Sequence, residues 1–137
     1  MLTDSDQRNL FQEVAAEVVG HTAEVEWLPP GDEWIAHARL RGVGGLVGYV
    51  LTSTEWHEAR FEEPQYLTFL IADSEDVEYL RKTWARLAKV VAAYVAGEYE
   101  VEQRRGLTGN RTFLNVRSDD GVWRIGKRGT RPPQFEN

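Results

Sequence analysis

The chain has 137 residues, of which 42% are hydrophobic and 28% charged, the size and composition of one soluble globular domain. It contains no cysteine, which excludes disulfides, thiolate metal sites and cysteine nucleophiles, and no apolar run approaches the ~20 residues that a membrane-spanning helix needs. The N-terminus is acidic and polar instead of resembling a leader peptide, so we expect a cytoplasmic protein.

Charge is divided unevenly along the chain, whose net charge is −6. Residues 1–78 hold 16 acidic and four basic residues, a net charge of −12, whereas residues 79–137 hold six acidic and 12 basic residues, a net charge of +6. This asymmetry predicts a cationic contact for one end and an anionic contact for the other. The alternative is that the two halves neutralise each other within the fold.

The first predicted element is an amphipathic helix over "TDSDQRNLFQEVAAEVVG", with Thr3 or Ser5 as its cap and Gly20 as its end. Three strands follow, "TAEVEWL", "EWIAHARL" and "LVGYVLTST". The next segment, "EWHEARFEEPQ", is rich in charge and predicts a loop. "YLTFLIA" is apolar on both faces, which is typical of a central strand.

A long helix is predicted over residues 75–96, because apolar residues recur there at alternating spacings of three and four. The stripe consists of Val77, Leu80, Trp84, Leu87, Val91 and Tyr94. Asp73 or Ser74 is predicted to cap this helix and Gly97 to end it. "EYEVE" then alternates as a strand and leads into a glycine-rich connection, "RRGLTGN".

The segments "RTFLNVR" and "VWRI" flank the turn signal "SDDG" and predict a hairpin. A loop of two or four residues puts Leu114 and Val116 on the same face as Trp123 and Ile125, whereas a loop of three would separate these apolar side chains and is rejected. The accepted register collects basic residues on the opposite face. That face comprises Arg111, Phe113, Asn115, Arg117 and Arg124.

These elements predict an α+β fold: a single domain with a mostly antiparallel sheet of about six to seven strands. Two helices, one N-terminal and the long one at 75–96, are expected to pack on one face of the sheet. The domain is predicted to span 1–125, with 126–137 as a flexible, basic tail containing Pro and Gly. Whether the strand at 98–102 runs parallel to the strand at 66–72 stays open, because a crossover through the long helix would permit it.

No catalytic, metal or cofactor signature is recognisable, so no residue is assigned a catalytic, metal-binding or cofactor-binding role. "RGVGGLVG" fits neither G-x-G-x-x-G nor G-x-x-x-x-G-K-[ST], and we interpret it as a strand connection in which Gly48 permits close packing. His57 lies among glutamates, but its spacing is not that of H-E-x-x-H, and a solvated acidic loop is the favoured interpretation. His37 lies on a different predicted element from His57, so the two side chains can share a pocket only if the fold brings them together.

Five tryptophans are many for this length. Trp27, Trp84 and Trp123 fall on predicted core faces. Trp34 and Trp56 flank acidic turns without inward periodicity, and exposed aromatic side chains with charged neighbours often anchor interfaces. The predicted partner-binding residues are therefore Trp34, Trp56, Arg111, Phe113, Arg117, Arg124, Lys127 and Arg128.

The sequence favours a non-enzymatic, small acidic protein-binding domain of bacterial type, an immunity-, inhibitor- or chaperone-like adaptor acting through its charge-polarised surface. Another protein is the expected partner, and a membrane is not. Two alternatives stay open. One is a small enzyme or ligand-binding domain with a pocket of His37, His57 and carboxylates, and the other is a nucleic-acid-associated protein whose C-terminal arginine face binds phosphates while Phe113 stacks bases.

Overall fold

A computed structural model of the protein describes residues 2–29, 31–107 and 109–127 in full and residues 129–131 as backbone. These residues form two helices, α1 (Asp4–Val19) and α2 (Val77–Val95). Sheet A contains β1 (Ala23–Leu28), β2 (Ala36–Gly42), β3 (Val47–Thr52), β4 (Trp56–Phe61) and β5 (Leu67–Ile71) in that spatial order. Sheet B contains β6 (Tyr99–Gly106), β7 (Gly109–Ser118), β8 (Gly121–Gly126) and β9 (Gly129–Arg131), also in chain order.

The predicted α+β class and single domain are confirmed, and every strand pair among the described residues is antiparallel. The strands are divided between two sheets and are somewhat more numerous than predicted. Since β5 belongs to sheet A and β6 to sheet B, the connection through α2 is not a parallel crossover within one sheet. Neither described helix is long and apolar enough to cross a membrane.

Both helices were located by their periodicity, and their caps follow from local hydrogen bonding. The Thr3 hydroxyl caps α1 by accepting the N–H of Asp6 at 3.1 Å, as predicted. The cap of α2 is Asp76, whose carboxylate accepts the N–H of Tyr79 at 3.1 Å, so the prediction of Asp73 or Ser74 was wrong. Asp73 does not cap the helix, because its carboxylate accepts the N–H of Glu75 and closes a turn that precedes α2.

Two interpretations of the segment between β3 and α2 were wrong. The charged stretch predicted as a loop contains β4, an interior strand of sheet A that pairs with β3 and β5. Its side chains alternate, and His57, Ala59 and Phe61 are buried against the helices. The apolar segment predicted as a central strand is β5, which lies at one edge of the sheet. Residues 128 and 132–137, including much of the predicted tail, lie outside the described residues.

The core lies between the inner face of sheet A and α1 and α2, and α2 also packs against β7 of sheet B. The predicted stripe of α2 is buried from Leu80 to Tyr94, and Trp84 and Trp123 are buried as expected. Trp27 contacts the Phe11 ring edge-on but is 38% exposed. At Gly48 a Cβ atom would lie 2.6 Å from Val91 Cγ1, so the absence of a side chain permits the predicted close packing.

Candidate interaction surface on the outer face of sheet A

The outer face of sheet A, opposite α1 and α2, carries side chains that the strand register arranges in rows. One row crosses four strands and contains His37, Leu51, Glu58 and Phe69. The next row contains Arg39, Tyr49, Arg60 and Leu67, and Trp56 lies opposite Ile71 beyond the first row. This alternation explains why β4 resembles a charged loop in the sequence: two of its three outward residues, Glu58 and Arg60, are charged, whereas its inward residues are His57, Ala59 and Phe61.

A continuous set of contacts joins both tryptophans that were predicted to bind a partner. Trp56 stacks on Phe69, with ring centroids 3.8 Å apart and planes inclined by 13°. The Trp56 indole N–H donates to the Glu58 carboxylate at 3.0 Å, and Glu58 forms an ion pair with Arg60. The Arg60 guanidinium lies over the Trp34 ring at 5.6 Å. The fold therefore brings Trp34 and Trp56 to one face, although their role in binding stays a prediction.

The exposed apolar side chains of this face are concentrated on the β5 side. Four apolar side chains lie together there: Trp56 is 38% exposed, Leu67 46%, Phe69 44% and Ile71 54%. We refer to these four residues as the apolar strip. Large apolar side chains scattered singly over a surface are ordinary, but a contiguous group on an open sheet face is characteristic of an interaction site.

A concave site of about 590 Å³ lies on the same face, beside the apolar strip. It is lined by Leu28, His37, Tyr49, Arg60, Phe61, Glu62, Gln65, Tyr66 and Leu67. The buried Nε2 atom of His37 has no hydrogen-bond partner among the described residues, and its ring is tilted against Tyr49 at 5.6 Å. Burial, together with the positive charge of Arg60, lowers the pKa of His37 and keeps its ring neutral near pH 7.

His57 is not part of this surface, and its interpretation as a residue of a solvated loop was wrong. It is fully buried on the inner face of sheet A. Its Nε2 N–H donates to the carbonyl of Ala72 at 3.0 Å, which leaves Nδ1 as the acceptor for the Thr52 hydroxyl at 2.8 Å. Burial lowers the pKa of His57 although the bond to Ala72 opposes this shift. Both ring nitrogens therefore have hydrogen-bond partners, which connect β4 to β3 and to the residue that follows β5.

The register places His37 and His57 on opposite faces of sheet A, because His37 pairs with Leu51 and His57 pairs with the adjacent Thr52. The pocket that would join the two histidines therefore does not form. Among the described residues, no group of three or more histidine and carboxylate side chains is arranged to hold a metal ion.

The hairpin of sheet B has the predicted register. Ser118 pairs with Gly121 across a two-residue loop, so the five residues of the predicted arginine face do lie on one side. Ion pairs with glutamates on β6 and at its start occupy this side: Arg124 lies 3.0 Å from Glu102, and Arg117 lies 3.6 Å from Glu98.

Glu102 is the centre of the polar contacts on this face. Hydrogen bonds from the side chains of Asn115, at 2.9 Å, and Arg104, at 2.7 Å, lower the pKa of Glu102. The Arg124 guanidinium also lies 4.3 Å from the centroid of the Phe113 ring, so one face of that ring is already in contact with a cation. Lys127 is exposed at the end of β8, and the predicted contact residue Arg128 lies outside the described residues.

Three residues of the apolar strip, Leu67, Phe69 and Ile71, were not predicted from the sequence to contact a partner. Their segment is apolar at every position except Thr68, which gave no indication that one side would stay open to solvent. Comparisons with protein-family models, with characterised proteins and with solved structures found no match to this chain.

Proposed function

We propose that this chain is a non-enzymatic protein-binding domain, an immunity-, inhibitor- or chaperone-like adaptor of the cytoplasm, and that it docks its partner on the apolar strip. The observation that carries the proposal is the set of four exposed apolar side chains on one sheet face. Burial of apolar surface stabilises a complex by about 25 cal/mol per Å², and aromatic side chains such as Trp56 are common energetic centres of interfaces.

Charge supports a basic partner for this surface. Residues 1–78, which include all of sheet A, carry a net charge of −12. Such a field accelerates the encounter with a cationic protein, and ordinary salt concentrations weaken it. The apolar strip itself carries no charged side chain, and the charges of Glu58 and Arg60 beside it are paired with each other. The strip is therefore suited to desolvation.

The experiment that tests this function is affinity capture from the native host, followed by mass spectrometry. The bait is the full chain, compared with a double variant, Trp56→Ser with Phe69→Ser. The matched control is Val122→Ser, because Val122 is an apolar residue of sheet B that is 53% exposed. We expect a protein retained by the wild type and by the control but lost from the double variant. Equal capture by all three baits would contradict the proposed docking surface.

A second candidate function, binding of a small ligand, is favoured by the concave site beside the strip. His37 Nε2, which lacks a hydrogen-bond partner among the described residues, and the Arg60 guanidinium lie in a lining that combines apolar side chains with Glu62 and Gln65. A fragment screen by NMR tests this: fragments that shift the His37 ring signals, and stop binding after His37→Phe, would support it. The absence of any such fragment would oppose it.

The nucleic-acid alternative receives less support. The ion pairs of Arg117 and Arg124 with Glu98 and Glu102 favour an arginine face neutralised within the fold. The contact of Arg124 with Phe113 also competes with base stacking on that ring.

A further inference from the structure

The backbone of β5 shows which of its groups are bonded within sheet A. The Ala72 N–H donates to the Glu55 carbonyl at 3.0 Å, and the Phe61 N–H donates to the Tyr66 carbonyl at 2.9 Å. These bonds lie just outside the two ends of the β4–β5 ladder. Bonded and non-bonded pairs alternate along an antiparallel ladder, so the even-numbered residues of 66–72 direct their backbone groups towards β4.

The odd-numbered residues Leu67, Phe69 and Ile71 therefore direct their N–H and C=O groups away from the sheet. No other described strand pairs with β5 on that side. The same three residues carry three of the four exposed side chains of the apolar strip. One edge thus offers three backbone donors, three backbone acceptors and an apolar face together, which is the set of contacts that an added strand requires.

The other edge strands whose side chains are described, β1 and β6, carry charged residues. β1 carries Glu24 and Glu26, and β6 carries Glu100 and Glu102 followed by arginines. Charged residues on an edge strand oppose the pairing of another strand. β5 contains no charged residue.

Charges beside β5 indicate what kind of strand would fit. Glu62 and Glu63 precede the strand, Asp73, Glu75 and Asp76 follow it, and all five are exposed. An antiparallel second copy centred on Phe69 would bring the acidic flank of one molecule alongside the acidic flank of the other. Like charges that face each other across a strand pair are destabilising, so a second copy is disfavoured and basic flanks are favoured.

We infer that β5 takes up an extended segment of the partner protein as a sixth strand of sheet A, and that this segment alternates apolar residues and has lysine or arginine at both ends. The inference rests on the proposed protein-binding function and adds the form and charge of what is bound. Main-chain hydrogen bonds to Leu67, Phe69 and Ile71 supply affinity, and the outer face beside Trp56 receives the apolar side chains.

The test measures amide hydrogen exchange by NMR in the full, isotopically labelled chain. The probe is a short capped peptide of alternating threonine and valine with two lysines at each end. At saturation we expect exchange at Leu67, Phe69 and Ile71 to slow by at least about tenfold, since these amides gain partners. The amides of Thr68 and Leu70 are already bonded to β4 and should change little.

Three controls use the same measurement. A peptide with glutamates in place of the lysines should bind at least about tenfold more weakly at low salt. Peptides methylated on successive backbone nitrogens should lose and retain affinity alternately, because only every second amide of the added strand faces β5. Phe69→Lys should abolish peptide binding, whereas Val122→Lys on sheet B should not. If Phe69→Lys disturbs the fold, the methylated peptides still test strand addition on the wild-type protein.

The outcomes separate this inference from the proposed function. No peptide binding, or binding that leaves the three odd-numbered amides unprotected, would overturn strand addition, whereas capture lost through Trp56→Ser with Phe69→Ser would still support docking on the strip. Equal affinity for the lysine and glutamate peptides would overturn the inference that the bound segment has basic ends. Protection that grows with protein concentration in the absence of peptide would identify a second copy as the occupant and would also overturn the inference.

Discussion

The indole N–H of Trp84 donates a hydrogen bond to the hydroxyl of Thr52 at 3.0 Å, which links the long helix to the middle strand of sheet A. The same hydroxyl accepts a bond from the Gln7 amide at 3.1 Å and donates to His57 Nδ1 at 2.8 Å. α1, α2, β3 and β4 therefore meet at one oxygen atom. Buried polar networks of this kind specify a unique arrangement of a core when every member is satisfied.

Replacement of Trp84 should reveal the energy of this junction. Trp84→Ala should lower the free energy of unfolding by about 3–5 kcal/mol, because it removes a large buried side chain and leaves a cavity. Trp84→Phe keeps most of the apolar volume and should cost less, chiefly the lost bond to Thr52. Urea denaturation of both variants measures these differences. A loss below about 1 kcal/mol for Trp84→Ala would contradict the packing described.

Stability should fall in mildly acidic solution because of His57. Its folded-state pKa is lowered below the ordinary value of 6.5, so the unfolded chain binds more protons as the pH decreases. The contribution of His57 is therefore fully present above about pH 6.5 and is lost as the pH falls through the folded-state pKa. His57→Gln should flatten the pH profile of the unfolding free energy in this range.

The matched control for that measurement is His21→Gln, since His21 is exposed at the end of α1. It should reproduce the wild-type profile. A steep acidic fall that persists unchanged in His57→Gln would assign the effect to other groups, of which His37 is one, because its pKa is also lowered.

Two adjacent aspartates in the β7–β8 turn provide a direct comparison of ion pairs. The Asp120 side chain is 25% exposed, lies 2.9 Å from Arg86 and accepts the indole N–H of Trp123 at 3.0 Å. Asp120→Ala should lower the free energy of unfolding by about 1–3 kcal/mol, since it leaves the buried indole N–H of Trp123 without its acceptor. Asp119 forms an exposed pair with Lys89, so Asp119→Ala should cost about 0–1 kcal/mol. Equal effects in thermal denaturation would contradict this ranking.

The arginine face is tested by charge reversal. Arg124→Glu would place a carboxylate beside Glu102 and should destabilise the fold more than Arg117→Glu, whose pair with Glu98 is longer and exposed. Thermal denaturation measures the difference. If instead the face is a docking surface, the double reversal should slow association with the partner while leaving the melting temperature unchanged.

Sequence periodicity was sufficient to predict both helices and the register of the β7–β8 hairpin. α2 was recognised because its apolar residues follow the helical repeat, and the hairpin because only an even loop keeps Leu114 and Trp123 on one face. These features depend on local spacing, which the sequence displays directly.

The errors have a common physical origin in β4 and β5. Charged residues such as Glu58 hid the alternation of β4, because Glu58 becomes buried only when β4 pairs with β3 and β5. β5 was assigned to the sheet centre because it is apolar on both faces, a pattern that usually reports burial on both sides. Here one apolar face is open, and this departure from the ordinary rule coincides with the proposed docking surface.

Along the chain, α2 follows the last strand of sheet A and precedes the first strand of sheet B. It packs against β2, β3 and β4, which precede it, and against β7, which follows it. During synthesis, sheet A must therefore emerge before the helix that completes its core, and sheet B appears only after that helix. α1 covers part of sheet A, but α2 completes its core, and β7 of sheet B packs on the same helix. Folding should consequently proceed as a single cooperative event that begins late, once the ribosome has released most of the chain.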